Sequence, residues 1–96
     1  MAEAGGDRVC WTVQFSGMVQ GVGFRYRTEL LARGFEVAGH VRNLPDGEVE
    51  LLAEGDRSEV ERFVAAIEES MAGYIRGRKR QEGPATGFYT EFSIRH

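Results

Sequence analysis

The chain has 96 residues, of which 42% are hydrophobic and 28% are charged, and its formal net charge is -3. This length suits one domain, for which we expect residues 8–96 with 1–7 as a flexible N-terminus. The acidic balance argues against nucleic acid as a partner, and no run reaches the roughly 18 apolar residues of a membrane-spanning helix. The single cysteine, Cys10, excludes an internal disulfide, and since the sequence opens without a secretion signal we expect a cytoplasmic protein.

The first predicted element is a strand from Val9 to Ser16. Its apolar residues recur at every second position, with polar residues between them. This period of two is typical of a strand with one buried face. Cys10 falls on the other face, with no histidine close in sequence, so a reactive role for it is the weaker interpretation.

A glycine-rich segment, SGMVQGVGFR from Ser16 to Arg25, follows this strand. It is not a Walker A loop, because no Gly-Lys-Ser/Thr follows, and Tyr26 occupies the third glycine position of the dinucleotide fingerprint. Glycines before a helix N-terminus can nevertheless turn backbone N–H groups toward an anion. The spacing alone fits an ordinary turn or an anion-binding loop.

A helix is predicted from Phe24 to about Arg33, since Phe24, Thr28 and Ala32 recur at helical spacing and Gly34 follows as a stop. Arg25 then lies in the first turn, where the helix dipole disfavours a cation. An anion bound beside Arg25 would account for its position there.

The rest of the chain predicts two more strands, a second helix and a final pair of strands. A hairpin is indicated by Val37 to Asn43, the turn Leu44 to Gly47, and Glu48 to Glu54. The stripe from Val60 to Met71 indicates a helix preceded by N-cap residues at 55–58. The final strands are predicted at 74–82 and 88–95, with a loop at 83–87.

The order strand, helix, strand, strand, helix, strand, strand predicts an α+β, ferredoxin-like fold. In this split βαβ arrangement, a mostly antiparallel sheet of four to five strands carries both helices on one face.

Two segments resemble the acylphosphatase family: GMVQGVGFR, followed by a helix, and GHVRNLPDGEVELLAEG, which leads into the second helix. The resemblance is dense from Val9 to about Ile67 and weakens afterwards, although Phe88, Phe92 and Ile94 resemble the apolar residues of the family's last strand. It implies hydrolysis of the carboxyl-phosphate bond of acyl phosphates, with inorganic phosphate as product and competing ligand.

The resemblance also implies which residues form the site. The arginine that closes the first segment, Arg25, would bind the phosphate, and the asparagine of the second, Asn43, would orient the attacking water. The loop amides would surround the phosphate, so the predicted phosphate-binding residues are Met18, Val19, Gln20, Gly21, Val22, Gly23, Phe24 and Arg25.

Other candidates are weaker on spacing. His40 lies three residues before Asn43 on one strand and should face the other side of the sheet, and His96, the last residue of the sequence, is interpreted as incidental. No cluster of metal ligands is visible, so we expect neither metal nor cofactor.

The four basic residues between 76 and 80 depart from the family pattern, which leaves the register of that strand open. They fit a charge-protected edge strand or, less well, a surface that attracts anions. A phosphate- or carbamoyl-phosphate-binding module without turnover remains the alternative function, and a monomer is the default state.

Overall fold

The computed structural model describes residues 7–96. The elements are β1 (Arg8–Gly17), α1 (Phe24–Ala32), β2 (Ala38–Asn43), β3 (Val49–Asp56), α2 (Arg57–Ser70), β4 (Ile75–Pro84) and β5 (Phe92–Arg95). This is the predicted order of strands and helices.

The strands form one sheet in the order β4-β1-β3-β2-β5. Neighbouring strands are antiparallel, except that β2 and β5 run parallel. Each helical crossover joins strands that have another strand between them, which is the split βαβ arrangement. The ferredoxin-like prediction is confirmed.

The core lies between one face of this sheet and the two helices. In β1 the alternate residues predicted to face inward are buried: Val9, Trp11, Val13 and Phe15. Val60, Phe63 and Ile67 of α2 are fully buried, and Phe24, Thr28 and Ala32 of α1 complete the layer. Burial of these apolar surfaces supplies the main stabilisation of the fold.

The strand directions bring three chain segments to the same end of the sheet. Because β1 and β2 are both antiparallel to β3, they run parallel to each other, and β5 runs with them. Phe15 and Asn43 both pair with Val49, so the loop after β1 begins beside the end of β2. Arg42 pairs with Arg95, so the end of β5 lies there too.

Several predicted boundaries differ from the structure. The helix α2 begins at Arg57, one turn before the apolar stripe, and its N-cap Asp56 makes no side-chain capping bond. The last strand begins at Phe92, and Phe88, expected inside it, is 76% exposed. The predicted loop at 83–87 starts later, because β4 continues to Pro84 in its ladder with β1.

The strand β4 is an edge strand, and its register is defined by Trp11 pairing with Glu82 and Val13 with Arg80. Arg80 stacks on the Trp11 ring at 4.2 Å, and Arg78 Nε lies 2.9 Å from Glu68 Oε2. Arg80 therefore covers a core side chain at the sheet edge and Arg78 pairs with α2, which supports the edge-strand interpretation.

The flexible N-terminus predicted for residues 1–7 falls outside the described residues, except for Asp7. The Asp7 carbonyl accepts a hydrogen bond from the Arg57 amide at 2.9 Å. Its carboxylate accepts a second bond from Arg57 Nε at 3.0 Å.

Candidate active site

A cavity of about 200 Å³ opens at the end of the sheet where β1, β2 and β5 end. Its lining comes from the glycine loop, the start of α1 and the ends of β2 and β5: Val19, Gly21, Gly23, Phe24, Arg25, Tyr26, Asn43, Ile94 and His96. The two residues predicted to be catalytic, Arg25 and Asn43, therefore line one cavity.

The loop after β1 takes its shape from two glycines with left-handed backbone angles. The φ angles are 79° at Gly21 and 80° at Gly23, a region that L side chains disfavour. Gly23 is also the N-cap of α1, and because it has no side chain it cannot cap the helix with a side-chain hydrogen bond. The N–H groups of Phe24, Arg25 and Tyr26 have no intrahelical acceptor, because Arg27 donates the first helical bond, to Gly23. This end of α1 can bind an anion.

The Arg25 side chain crosses to the end of β5 and is half-buried. Its Nη1 atom lies 3.1 Å from the carbonyl oxygen of Arg95 and 3.3 Å from Nδ1 of His96. The first turn of α1 holds no acidic residue. The guanidinium thus keeps its positive charge beside the helix N-terminus with no carboxylate from that turn to neutralise it.

Asn43 is the last residue of β2 and shares the helix-facing side of the sheet with Val41, which is fully buried. Its amide is half-buried at the cavity wall. An amide can accept a hydrogen bond through its oxygen and donate through its nitrogen, so Asn43 can orient a water molecule without taking up its proton.

Three predicted phosphate-binding residues do not line the cavity. Gln20 Nε2 donates to the carbonyl oxygens of Leu44 at 2.8 Å and Glu48 at 2.9 Å, which joins the loop to the turn between β2 and β3. The backbone amide of Met18 donates to the carbonyl oxygen of Tyr74 at 2.9 Å. Val22 packs against the core. The Met18 amide is therefore engaged outside the cavity.

Three cavity residues were not expected from the sequence: Tyr26, Ile94 and His96. No local pattern marks His96 as a cavity residue, because its position depends on the pairing of β5 with β2. Parallel neighbouring strands end at the same edge of a sheet, so the pairing of β5 with β2 is what places His96 beside Asn43.

His40 faces the opposite side of the sheet, as predicted, and is buried there against Tyr89 and Glu50. Burial lowers its pKa, and the hydrogen bond to Glu50 only partly opposes this effect. On the same face, burial and the neighbouring Glu54 carboxylate raise the pKa of the Cys10 thiol to about 11. A neutral, weakly nucleophilic thiol results.

Within residues 7–96, no three His, Cys, Asp or Glu side chains gather where they could hold a metal ion. Over the same range, neither helix is long and apolar enough to span a membrane.

The chain is similar in sequence and in structure to known proteins. Residues 11–94 match the family model described as Acylphosphatase. An acylphosphatase of Lactobacillus johnsonii is 36% identical over 85 residues, which cover 86% of this chain and 93% of that protein. One from Methanospirillum hungatei is 45% identical over 82 residues, covering 83% of this chain and 89% of that protein. The crystal structure of acylphosphatase from Bacillus subtilis superposes with a TM-score of 0.82 at 31% identity, covering 92% and 99% of the two chains.

Proposed function

The chain belongs to the acylphosphatase family, and we propose that it hydrolyses the carboxyl-phosphate bond of acyl phosphates at the cavity between the glycine loop and the ends of β2 and β5. The products are a carboxylate and inorganic phosphate. Arg25 and the loop amides hold the phosphoryl group, and Asn43 orients the attacking water.

The phosphoryl group is held by charge and by hydrogen bonds. Arg25 supplies a permanent cation with a planar fork of donors that matches two phosphoryl oxygens. The free N–H groups at the start of α1 and the neighbouring loop amides face the remaining oxygens. Since the Met18 amide is bound to Tyr74, the proposed cradle runs from Val19 to Phe24.

The reaction needs little further chemistry from the protein. The oxygen of a water molecule bonds to phosphorus while the bond from phosphorus to the acyl oxygen breaks, and the proton of the water passes to a phosphoryl oxygen. The conjugate acid of the leaving carboxylate has a pKa of about 4, so the carboxylate departs without a general acid. Positioning and charge stabilisation are the main tasks left to the site.

The observation that supports this proposal is that Arg25, Asn43 and the N-terminus of α1 line one cavity. Arg25 contributes charge, Asn43 contributes orientation, and the strand directions bring them together. A monomeric state and a cytoplasmic location stay predictions from the sequence.

The test is a hydrolysis assay on benzoyl phosphate with Arg25→Ala and Asn43→Ala. We expect each variant to lower kcat/KM by about 100-fold or more, since each removes an interaction with the reacting groups. Inorganic phosphate should inhibit the parent competitively. The matched control is Arg27→Ala, because Arg27 is an exposed cation on α1 outside the cavity.

Each outcome of this assay has a distinct meaning. Turnover that survives both substitutions would contradict the assigned roles. Phosphate binding by the parent without hydrolysis would instead support the alternative predicted from the sequence, a binding module. Equal losses in Arg27→Ala and Arg25→Ala would show that only the overall charge matters.

A further inference from the structure

His96 contacts the one side chain on which phosphate binding is proposed to depend. The Arg25 guanidinium is joined through Nη1 to two acceptors, the Arg95 carbonyl oxygen and His96 Nδ1. Arg95 is the last residue of β5, and His96, which follows it, lines the cavity.

The chemistry of the two side chains fixes their roles. An arginine has only donors, so His96 Nδ1 must accept, and the imidazole proton must be on Nε2. The two N–H bonds of Nη1 are then used by these two acceptors. Nε and Nη2 keep three N–H bonds, and these two nitrogens form one edge of the planar guanidinium.

Two acceptors constrain the guanidinium more than one does. A single hydrogen bond to the Arg95 carbonyl leaves the guanidinium plane free to turn about that contact. The second contact, to His96, restricts this rotation and so fixes which edge remains available. Orientation set before binding lowers the entropy that binding must remove.

We propose that His96 is a positioning residue for phosphate binding: its Nδ1 atom holds the Arg25 guanidinium so that the edge formed by Nε and Nη2 is presented to the phosphoryl group. This role rests on one part of the proposed function, the binding of phosphate by Arg25, and not on hydrolysis. It acts through Arg25 and requires no contact between His96 and the substrate.

The substitutions that test this role separate the acceptor atom from the bulk of the ring. His96→Phe keeps a flat ring but removes the acceptor, whereas His96→Asn keeps an acceptor oxygen close to the position of Nδ1. His96 is exposed, so neither change removes core packing. Thermal unfolding of each variant checks that the fold is kept.

The first measurement is the Kd of inorganic phosphate by calorimetric titration, which does not depend on turnover. We expect His96→Phe to weaken phosphate binding by about threefold to tenfold, as for loss of one exposed hydrogen bond to a charged group, with Tm unchanged. His96→Asn should restore most of the affinity. In an Arg25→Ala background, His96→Phe should have no further effect.

Several results would overturn the proposal. Unchanged affinity in His96→Phe would remove the role, and tighter binding would show that His96 competes with phosphate for Arg25. Equal losses in the Phe and Asn variants would assign the effect to the imidazole ring rather than to its acceptor atom. If phosphate binds as expected but benzoyl phosphate is not hydrolysed, the proposed function fails while the positioning role stands.

Discussion

Thr28 and Thr86 differ in whether the side-chain hydroxyl has a hydrogen-bond partner. Thr28 is fully buried on α1, and its Oγ1 has no hydrogen-bond partner among residues 7–96. Thr86 Oγ1 donates to the buried carboxylate of Glu54 at 2.5 Å. A buried hydroxyl without a partner costs free energy, whereas a bond to a carboxylate stabilises.

We therefore expect Thr28→Val and Thr86→Val to change stability in opposite directions. Thr28→Val replaces the unpaired hydroxyl with a methyl group of similar shape and should raise the free energy of unfolding by about 0.5–1.5 kcal/mol. Thr86→Val should lower it by about 1–2 kcal/mol, because Glu54 loses a donor. Urea unfolding measures both, and a destabilised Thr28→Val would contradict the structure around α1.

The loop and the turn between β2 and β3 are joined by one side chain, Gln20. Its amide donates to the carbonyls of Leu44 and Glu48, which flank the turn directly after Asn43. The turn also closes on itself, since the Leu44 amide donates to the Glu48 carbonyl at 2.8 Å. The distance between the proposed phosphate loop and Asn43 is therefore set partly by Gln20.

Gln20→Glu should impair catalysis more than stability. A carboxylate has the same shape but cannot donate to either carbonyl, and it places a negative charge near the phosphate loop. We expect kcat/KM for benzoyl phosphate to fall by about tenfold or more, because small displacements of reacting groups are costly. Gln14→Glu, the same change in β1 on the sheet face away from the helices, is the control and should keep full activity.

The sequence predicted elements well where one face is buried and poorly where none is. Alternation in β1 and the helical spacing in α2 located both elements, because burial on one side imposes a period. In β4, Arg80 and Glu82 lie on the helix-facing side at the sheet edge. Because these positions carry charged residues, the sequence shows no alternation of apolar and polar residues there. Phe88 suggested a longer β5 because exposure cannot be read from residue type alone.

The residues of the site also differ in how far the sequence predicts them. Arg25 could be suspected from its place after a glycine loop at a helix N-terminus, whereas Asn43 was implied only by the resemblance of its segment to acylphosphatases. His96 is in the cavity because β5 pairs with β2 across about 50 residues of sequence, and Gln20 contacts the hairpin turn for a similar reason. Such long-range contacts come from topology and leave no local signal.

Titratable groups on both faces of the sheet make the whole molecule sensitive to acid. His40 is 5% exposed, and its pKa is lowered by burial, with Arg95 and Arg42 adding to the effect against the contribution of Glu50. Burial alone would raise the pKa of Glu50 and Glu54, but hydrogen bonds, from Arg42 and His40 to Glu50 and from Thr86 and Gly87 to Glu54, lower both. The pKa of Glu82 falls to about 2 beside Arg57.

All of these pKa shifts lower the stability of the native state as the pH falls. The native state resists protonation of His40, whereas the unfolded chain takes up that proton near its ordinary pKa of about 6.5. The contribution of neutral His40 is therefore complete above that pH and declines below it. The contributions of Glu50, Glu54 and Glu82 are complete above about pH 4.5 and are lost at lower pH, as the native carboxylates become protonated.

We expect the free energy of unfolding to decline in two stages on acidification, the first caused by His40. In the first stage the slope cannot exceed about 1.4 kcal/mol per pH unit, the value for one proton. His40→Gln retains an amide that can donate to Glu50 but does not titrate, so it should remove the first stage and keep the second. Urea unfolding from about pH 7.5 to about pH 3.5 measures both stages. If the variant and the parent lose stability equally between about pH 6.5 and 5, His40 is not the group responsible, because the variant has no imidazole at this position to titrate.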